Sequence, residues 1–258
     1  MPQDVIAALA RRGRAGLHVL KRDRSGLALL EFGLTLPLVL AVGGWGIELS
    51  NLALCNLRVS QYALNLADHA SRVGQDVSGG VSNLREVDIN DVLQGAKLEG
   101  ASIDLTTRGR IIVSSLENVR RTYQDGTSDT GAKQRIHWQR CLGMMSGAGY
   151  DSSYPAVAPF VSITAGSDTT QANAGVDAPN GMGDATALVK APNESGVMFI
   201  EVNYQYRPLF GSLYITPRII HYVASFIVRD NRLFNQIYNP SPTATAMTCD
   251  KHTKDLDK

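Results

Sequence analysis

One carboxylate, Glu31, interrupts an otherwise uncharged stretch that runs from Leu27 to Ile47. An ionised side chain at the centre of a membrane-spanning helix costs about 2.5–3.5 kcal/mol on insertion scales, so such a residue calls for a partner or an escape route. The escape route is short, because Glu31 lies only four positions past Leu27 and can snorkel towards head groups. As a general base it is poorly equipped, since the flanking residues supply no His, Lys or second acid to tune it. The other reactive side chains form no recognisable constellation. The cysteines, Cys55, Cys141 and Cys249, contain no CxxC pair, which excludes zinc ribbons and thioredoxin-like redox sites. His18, His69, His137, His221 and His252 are scattered without HxxxH or HExxH spacing and read as surface or strand residues. Asp168, Asp177 and Asp184 offer oxygens to a cation but lack EF-hand spacing, and turn solvation accounts for them better. Asn193-Glu194-Ser195 matches a glycosylation acceptor, a pattern common by chance. GxGxxG, GxxxxGK[ST] and GxSxG are all absent. The expectation is a protein with no catalytic residues, no metal and no cofactor.

The elements that hold Glu31 are legible from charge. Of 258 residues, 44% are hydrophobic and 19% charged, which excludes a disordered polyelectrolyte or a multi-span membrane protein. The net charge of +1 argues against a nucleic-acid binder. Residues 1–26 carry six basic against two acidic side chains, a charge of +4, and the remainder is acidic at −3. At 1.5 Å per residue the 21 residues from Leu27 to Ile47 span roughly 31 Å, one hydrocarbon core. The spacing predicts a single membrane-spanning helix over 27–50, with residues 1–26 as a basic cytoplasmic leader and 51–258 exported. A cleaved secretory signal fits poorly, because the apolar stretch is too long. A lipoprotein signal at Leu52-Ala53-Leu54-Cys55 fits poorly too, with bulky Leu54 where a small residue belongs. Pro37 removes one helical bond and its ring crowds the carbonyl of Gly33, so a kink is expected there.

The residues around Glu31 carry a resemblance. Arg22-Asp23-Arg24-Ser25-Gly26-Leu27-Ala28-Leu29-Leu30-Glu31-Phe32 resembles a prepilin peptidase site, basic residues then Gly, four apolar residues and Glu. With Pro37 and Gly46-Ile47-Glu48-Leu49 it is similar to the TadE-like family of minor pilins from tight-adherence pilus systems. Weaker echoes lie in Trp138-Gln139-Arg140-Cys141-Leu142-Gly143 and in Tyr204-Gln205-Tyr206-Arg207-Pro208-Leu209-Phe210. The resemblance implies cleavage between Gly26 and Leu27 by a prepilin peptidase, and a single-pass inner-membrane protein with a periplasmic head. It also implies incorporation into, or support of, a pilus that serves adhesion, with neighbouring pilins and platform proteins as partners beside the lipid bilayer. Cleavage would remove the +4 leader and give Leu27 a free α-amine, with a pKa near 8. Glu31 of one subunit, flanked by Phe32, could then pair with the terminal amine of the next and set the helix register.

Beyond the span, Leu52, Cys55, Val59, Tyr62, Ala63, Leu66, Ala70 and Val73 recur at helical steps and extend the helix over 51–75. Asp88 to Leu98 reads as a second helix. Strands are expected at Ser102–Thr106, Arg110–Leu116, Gln134–Leu142, Val197–Tyr206 and Arg218–Val228, with a hairpin turn at Arg108-Gly109. Residues 143–196 read as a long loop, with local structure around Ala156–Ile163. The fold class is therefore α+β: a long N-terminal transmembrane and amphipathic helix followed by an antiparallel-sheet, pilin-like head over 80–258. An oxidising compartment favours a Cys141–Cys249 disulfide, with two free thiols as the alternative, while Cys55 reads as a core residue.

Overall fold

A computed structural model describes residues 26–77, 80–155, 157, 170–184, 186–234 and 236–256. The chain divides into two compact units, one ending at Ser50 and the other beginning at Asn51. The described part of the first unit is helix. Helix α1, Leu27–Arg72, opens with a bond from the Leu30 amide to the Gly26 carbonyl and continues through Pro37 without interruption. Its Leu- and Ala-rich composition favours a helix, and its hydroxyls fold back onto it. Thr35 Oγ1 donates to the Glu31 carbonyl at 2.8 Å and Ser50 Oγ to the Gly46 carbonyl at 2.8 Å. These two hydroxyls are thereby satisfied by the helix itself.

In the second unit α1 becomes one-sided. Cys55, Val59, Ala63, Leu66, Ala67 and Ala70 are buried, at the spacing the sequence predicts. They pack with Ile89, Leu93 and Ala96 of α2, Glu86–Glu99, against one face of a sheet. The helix ends at Arg72, earlier than the expected residue 75. His69 and Arg72 favour its negative C-terminal end, and the chain then turns into a two-stranded ribbon of β1, Gln75–Val77, and β2, Val81–Asn83. At Gly74 a Cβ would approach Ser82 Cβ to 3.3 Å, so the turn is already tight for glycine.

The sheet has five antiparallel strands in the order β5-β4-β3-β8-β9. β3 is Gly109–Val119, β4 Lys133–Leu142, β5 Val176–Asp177, β8 Ser195–Tyr206 and β9 Arg218–Ile227. Between β5 and β8 a hairpin forms from β6, Met182–Asp184, and β7, Ala187–Val189. One sheet face carries Ile111, Val113, Trp138, Met198, Ile200 and Val202 against the helices. The other carries Leu116, Ile136, Val197 and Phe199 against Met182 and Ala191. Both faces are buried, and each fully buried Val, Leu, Ile or Phe contributes about 1.5–3 kcal/mol.

Two expectations need correction. Ser102–Thr106 is not a strand, and Arg108-Gly109 is not a hairpin turn. A 3₁₀ turn, Gly100–Ile103, is followed by the four-residue helix α3, Leu105–Arg108, and Gly109 starts β3. The β-branched residues there imitate a strand, but a Cβ on Gly100 would lie 2.5 Å from Leu105 Cβ. Glycine at that point lets Leu105 fold back into the core, and Asp104 takes the left-handed conformation, φ 54°, that reverses the chain. The fifth strand comes instead from the expected loop at 143–196, which supplies β5, the β6–β7 hairpin and a 3₁₀ turn at Gln171–Asn173. Of the segment Ala156–Ile163, only Val157 lies within the described residues.

Candidate functional site

The sequence points first to the start of α1. Gly26 and Leu27 are both exposed, Leu27 at 53%. Glu31 and Phe32 lie on the first turns of the helix and are exposed as well, as are Gly33 and Pro37. Leu29, Leu30, Leu34, Leu38, Val39 and Leu40 surround them, each at least 60% exposed. Soluble monomers rarely expose contiguous apolar patches beyond a few hundred Å², and a surface of this kind suits an apolar environment. One helix near the N-terminus is thus long and apolar enough to span a membrane. Residues 1–25 of the basic leader lie outside the described residues.

The disulfide pair lies far along the chain. Cys141 on β4 and Cys249 are joined, with an S–S distance of 2.00 Å, and Cys55 is a buried free thiol. Around this bridge the C-terminal segment is tied to the sheet by the backbone. The Cys141 amide donates to the Met247 carbonyl and the Gly143 amide to Thr253, both at 2.7 Å. Arg110 of β3, buried beneath, donates to the carbonyls of Gly143 at 2.9 Å and Lys251 at 2.7 Å, and also to that of Cys249. Burial pushes the Arg110 guanidinium down from its ordinary value, with Asp151 and Asp250 opposing. A cavity of about 310 Å³ opens here, lined among others by Arg110, Gln139, Asp151, Ser152 and His252.

Sequence reasoning misses a set of buried charges in the head. Glu86, the first residue of α2, and Arg140 of β4 are fully buried and form a two-pronged pair, with Arg140 Nε donating to Glu86 Oε2 at 3.0 Å. A second cluster joins Glu117 at the end of β3, Arg121 just beyond it and His137 of β4. His137 owes its place to a bulge. β3 and β4 pair Ser115 with Trp138 and then Leu116 with Ile136, so His137 is the extra residue. Its Nδ1 lies 2.9 Å from Glu117 Oε1 and 2.6 Å from Arg121 Nη2. Arg121 Nη2 has two hydrogens, and Glu117 Oε2 at 3.0 Å and the Phe234 carbonyl at 2.6 Å take them. In the tautomer with its proton on Nδ1, His137 donates to Glu117, whose Oε1 also accepts from Ser115 Oγ at 2.8 Å.

The electrostatics follow from this arrangement. Burial alone would push the Glu117 carboxyl up, but its bonds to His137, Arg121 and Ser115 outweigh burial and hold it below the usual carboxylate range. Burial pushes the His137 imidazole down, and against the pull of Glu117 the Arg121 cation helps keep it neutral. Asp129 behaves like Glu117. Burial raises it, while Arg135 at 2.7 Å and the Arg121 amide outweigh that and lower it. Glu86, Glu117, Arg121, His137 and Arg140 are each 3% exposed or less. A signal existed for one of them: Arg140 alternates with Ile136 and Trp138 along β4, in positions where apolar side chains are expected.

Among the described residues no group of three or more His, Cys, Asp or Glu is placed to hold a metal ion. Asp177 and Asp184 are exposed on β5 and β6, and Asp168 lies outside the described residues. No protein-family model, no curated protein and no solved structure matches the chain.

Proposed function

We propose that this chain is a TadE-like minor pilin or pseudopilin of a tight-adherence pilus system, which acts by assembly and catalyses nothing. The observation that carries the reading is the opening of α1: an exposed Gly26–Leu27 junction, a lone exposed carboxylate at Glu31, and an uninterrupted apolar surface behind it. In this reading residues 1–26 form a cytoplasmic leader and 27–50 cross the inner membrane. The head from residue 51 onward stands in the periplasm, where its disulfide is at home. Prepilin peptidase cuts after Gly26, and the new amine of Leu27 is met by Glu31 of a neighbouring subunit. Neighbouring pilins, platform proteins and the bilayer are the partners. No basic surface for nucleic acid is implied by a net charge of +1.

The deciding experiment is the N-terminal sequence and intact mass of the membrane-extracted protein, expressed with and without a prepilin peptidase. A chain beginning at Leu27 only when the peptidase is present is the expected result. A chain still beginning at Met1 or Pro2 with active peptidase would remove the pilin reading. A second reading would then stand, an uncleaved single-pass anchor carrying a periplasmic binding head. It is favoured by the cavity beside Arg110, whose buried Nε has no hydrogen-bond partner and lies 3.8 Å from Asp151.

A further inference from the structure

The loop that joins β8 to β9 is apolar where a loop should be polar. Leu209, Phe210 and Leu213 are 61%, 45% and 74% exposed, and the Phe210 ring meets Tyr214 edge-on at 5.7 Å. Exposed arginines, Arg207 and Arg218, bracket the loop, and the sequence has no acidic residue between Glu201 and Asp230. Its place in the second unit is fixed. Tyr206, the last residue of β8, pairs with Arg218, the first of β9, and its hydroxyl accepts a bond from Asn51 Nδ2 at 2.9 Å. Asn51 opens the second unit, four residues beyond Ile47, the last residue of the uncharged apolar stretch. The loop is therefore rooted where the chain leaves that segment.

We propose that the β8–β9 loop, residues 207–217, is a second membrane contact, which sinks Leu209, Phe210 and Leu213 into the leaflet from which the head emerges and sets Arg207 and the adjoining Arg218 against anionic head groups. The proposal rests on the reading of 27–50 as a membrane span. The composition is that of an interfacial anchor: aliphatic and aromatic side chains for the upper acyl chains, a tyrosine at head-group depth, and cations for lipid phosphates. A leaflet containing phosphatidylglycerol offers both the apolar phase for the three side chains and the counter-charge for the two arginines.

The test uses the full chain reconstituted into phosphatidylcholine vesicles, with and without phosphatidylglycerol, carrying bromine at defined acyl depths. The reporter is Leu213→Trp combined with Trp45→Phe, leaving Trp138, 3% exposed in the head core, as a constant background. The wild-type chain, with Trp45 inside the apolar helix, is the control for the span. The expected result is a blue shift and loss of reporter emission, greatest with bromine about 5–10 Å below the head-group boundary. The quenching should grow with phosphatidylglycerol, and Arg207→Gln with Arg218→Gln should abolish that growth. Quenching in the wild type but none of the reporter would overturn the loop contact and leave the span intact. Absence of quenching in both would remove the span and the loop contact together. A reporter shielded from aqueous acrylamide yet untouched by bromolipid would assign the loop to a protein neighbour and overturn the lipid assignment.

Discussion

At the scale of single residues, Glu31 and Glu86 are carboxylates with opposite fates. Glu31 is exposed on an apolar helix, so its replacement by Ala removes charge from the surface and leaves the helix whole. On the proposed pairing, Glu31→Ala should insert into membranes as the wild type does but fail to enter the pilus machinery. Pull-down with the other pilins after membrane extraction checks this, and normal recovery would end the pairing mechanism. Glu86 is buried against Arg140. Glu86→Ala should therefore cost about 3–5 kcal/mol, because the Arg140 cation stays in the core without its counter-ion. Replacing both residues by Met should recover most of that loss in denaturant midpoints. The His137–Glu117 cluster adds a pH dependence. His137 is held below its unfolded value of about 6.5, so the unfolded chain binds more protons there and stability falls as pH drops through that range. Glu117 and Asp129 are depressed, so their contribution is present above about pH 4 and is lost below it. A melting curve that declines from pH 7 to 5 in the wild type and flattens in His137→Gln is the expected outcome.

At the scale of elements, how much can be read from the sequence depends on whether a segment's neighbours are local. The apolar spacing from Leu52 to Ala70 fixes α1, since a helix face repeats within a few residues. Long strands with β-branched clusters, such as Arg110–Leu116 and Val197–Tyr206, were similarly legible to within a few residues. The segment from Gly100 to Arg108 was not, because its outcome depends on Leu105 reaching a core built by α1 and α2. Neither was β5, a two-residue strand that exists only by pairing Val176 with Ile136. The pairing within the charge clusters was not legible for the same reason: Arg140 stands out along its strand, but Glu86 lies 54 positions away and nothing in either segment names the other. Cysteine supports a separate prediction. Cys141→Ser or Cys249→Ser should cost about 2–4 kcal/mol. It should also make the chain after Met247 the first site of limited proteolysis, although Arg110 and two backbone bonds still hold it.

At the scale of the whole molecule, the two units make different demands on solvent. The described part of the first is helix with its leucines exposed, while the second closes a core on both sides of its sheet. A chain begun at Asn51 should be soluble without detergent and keep the same strand content by circular dichroism. The full chain should stay with the membrane fraction after alkaline carbonate extraction. Release of the full chain by carbonate would mean that the apolar surface of α1 is covered by protein instead of lipid.

The Cys141–Cys249 bridge also decides how this protein answers a pull. Tension applied between the start of α1 and the C-terminus is handed from Cys249 straight to Cys141, 108 positions apart, bypassing the residues between them. Those residues include β8 and β9, which can be sheared from β3 but not drawn out in line. In a single-molecule stretching experiment the oxidised head should release a contour shorter by roughly 360–390 Å than the reduced one, at 3.3–3.6 Å per residue. The bridge thus makes the head a short tether, with α1 and the central strand β3 on the path of the force and β8 and β9 outside it.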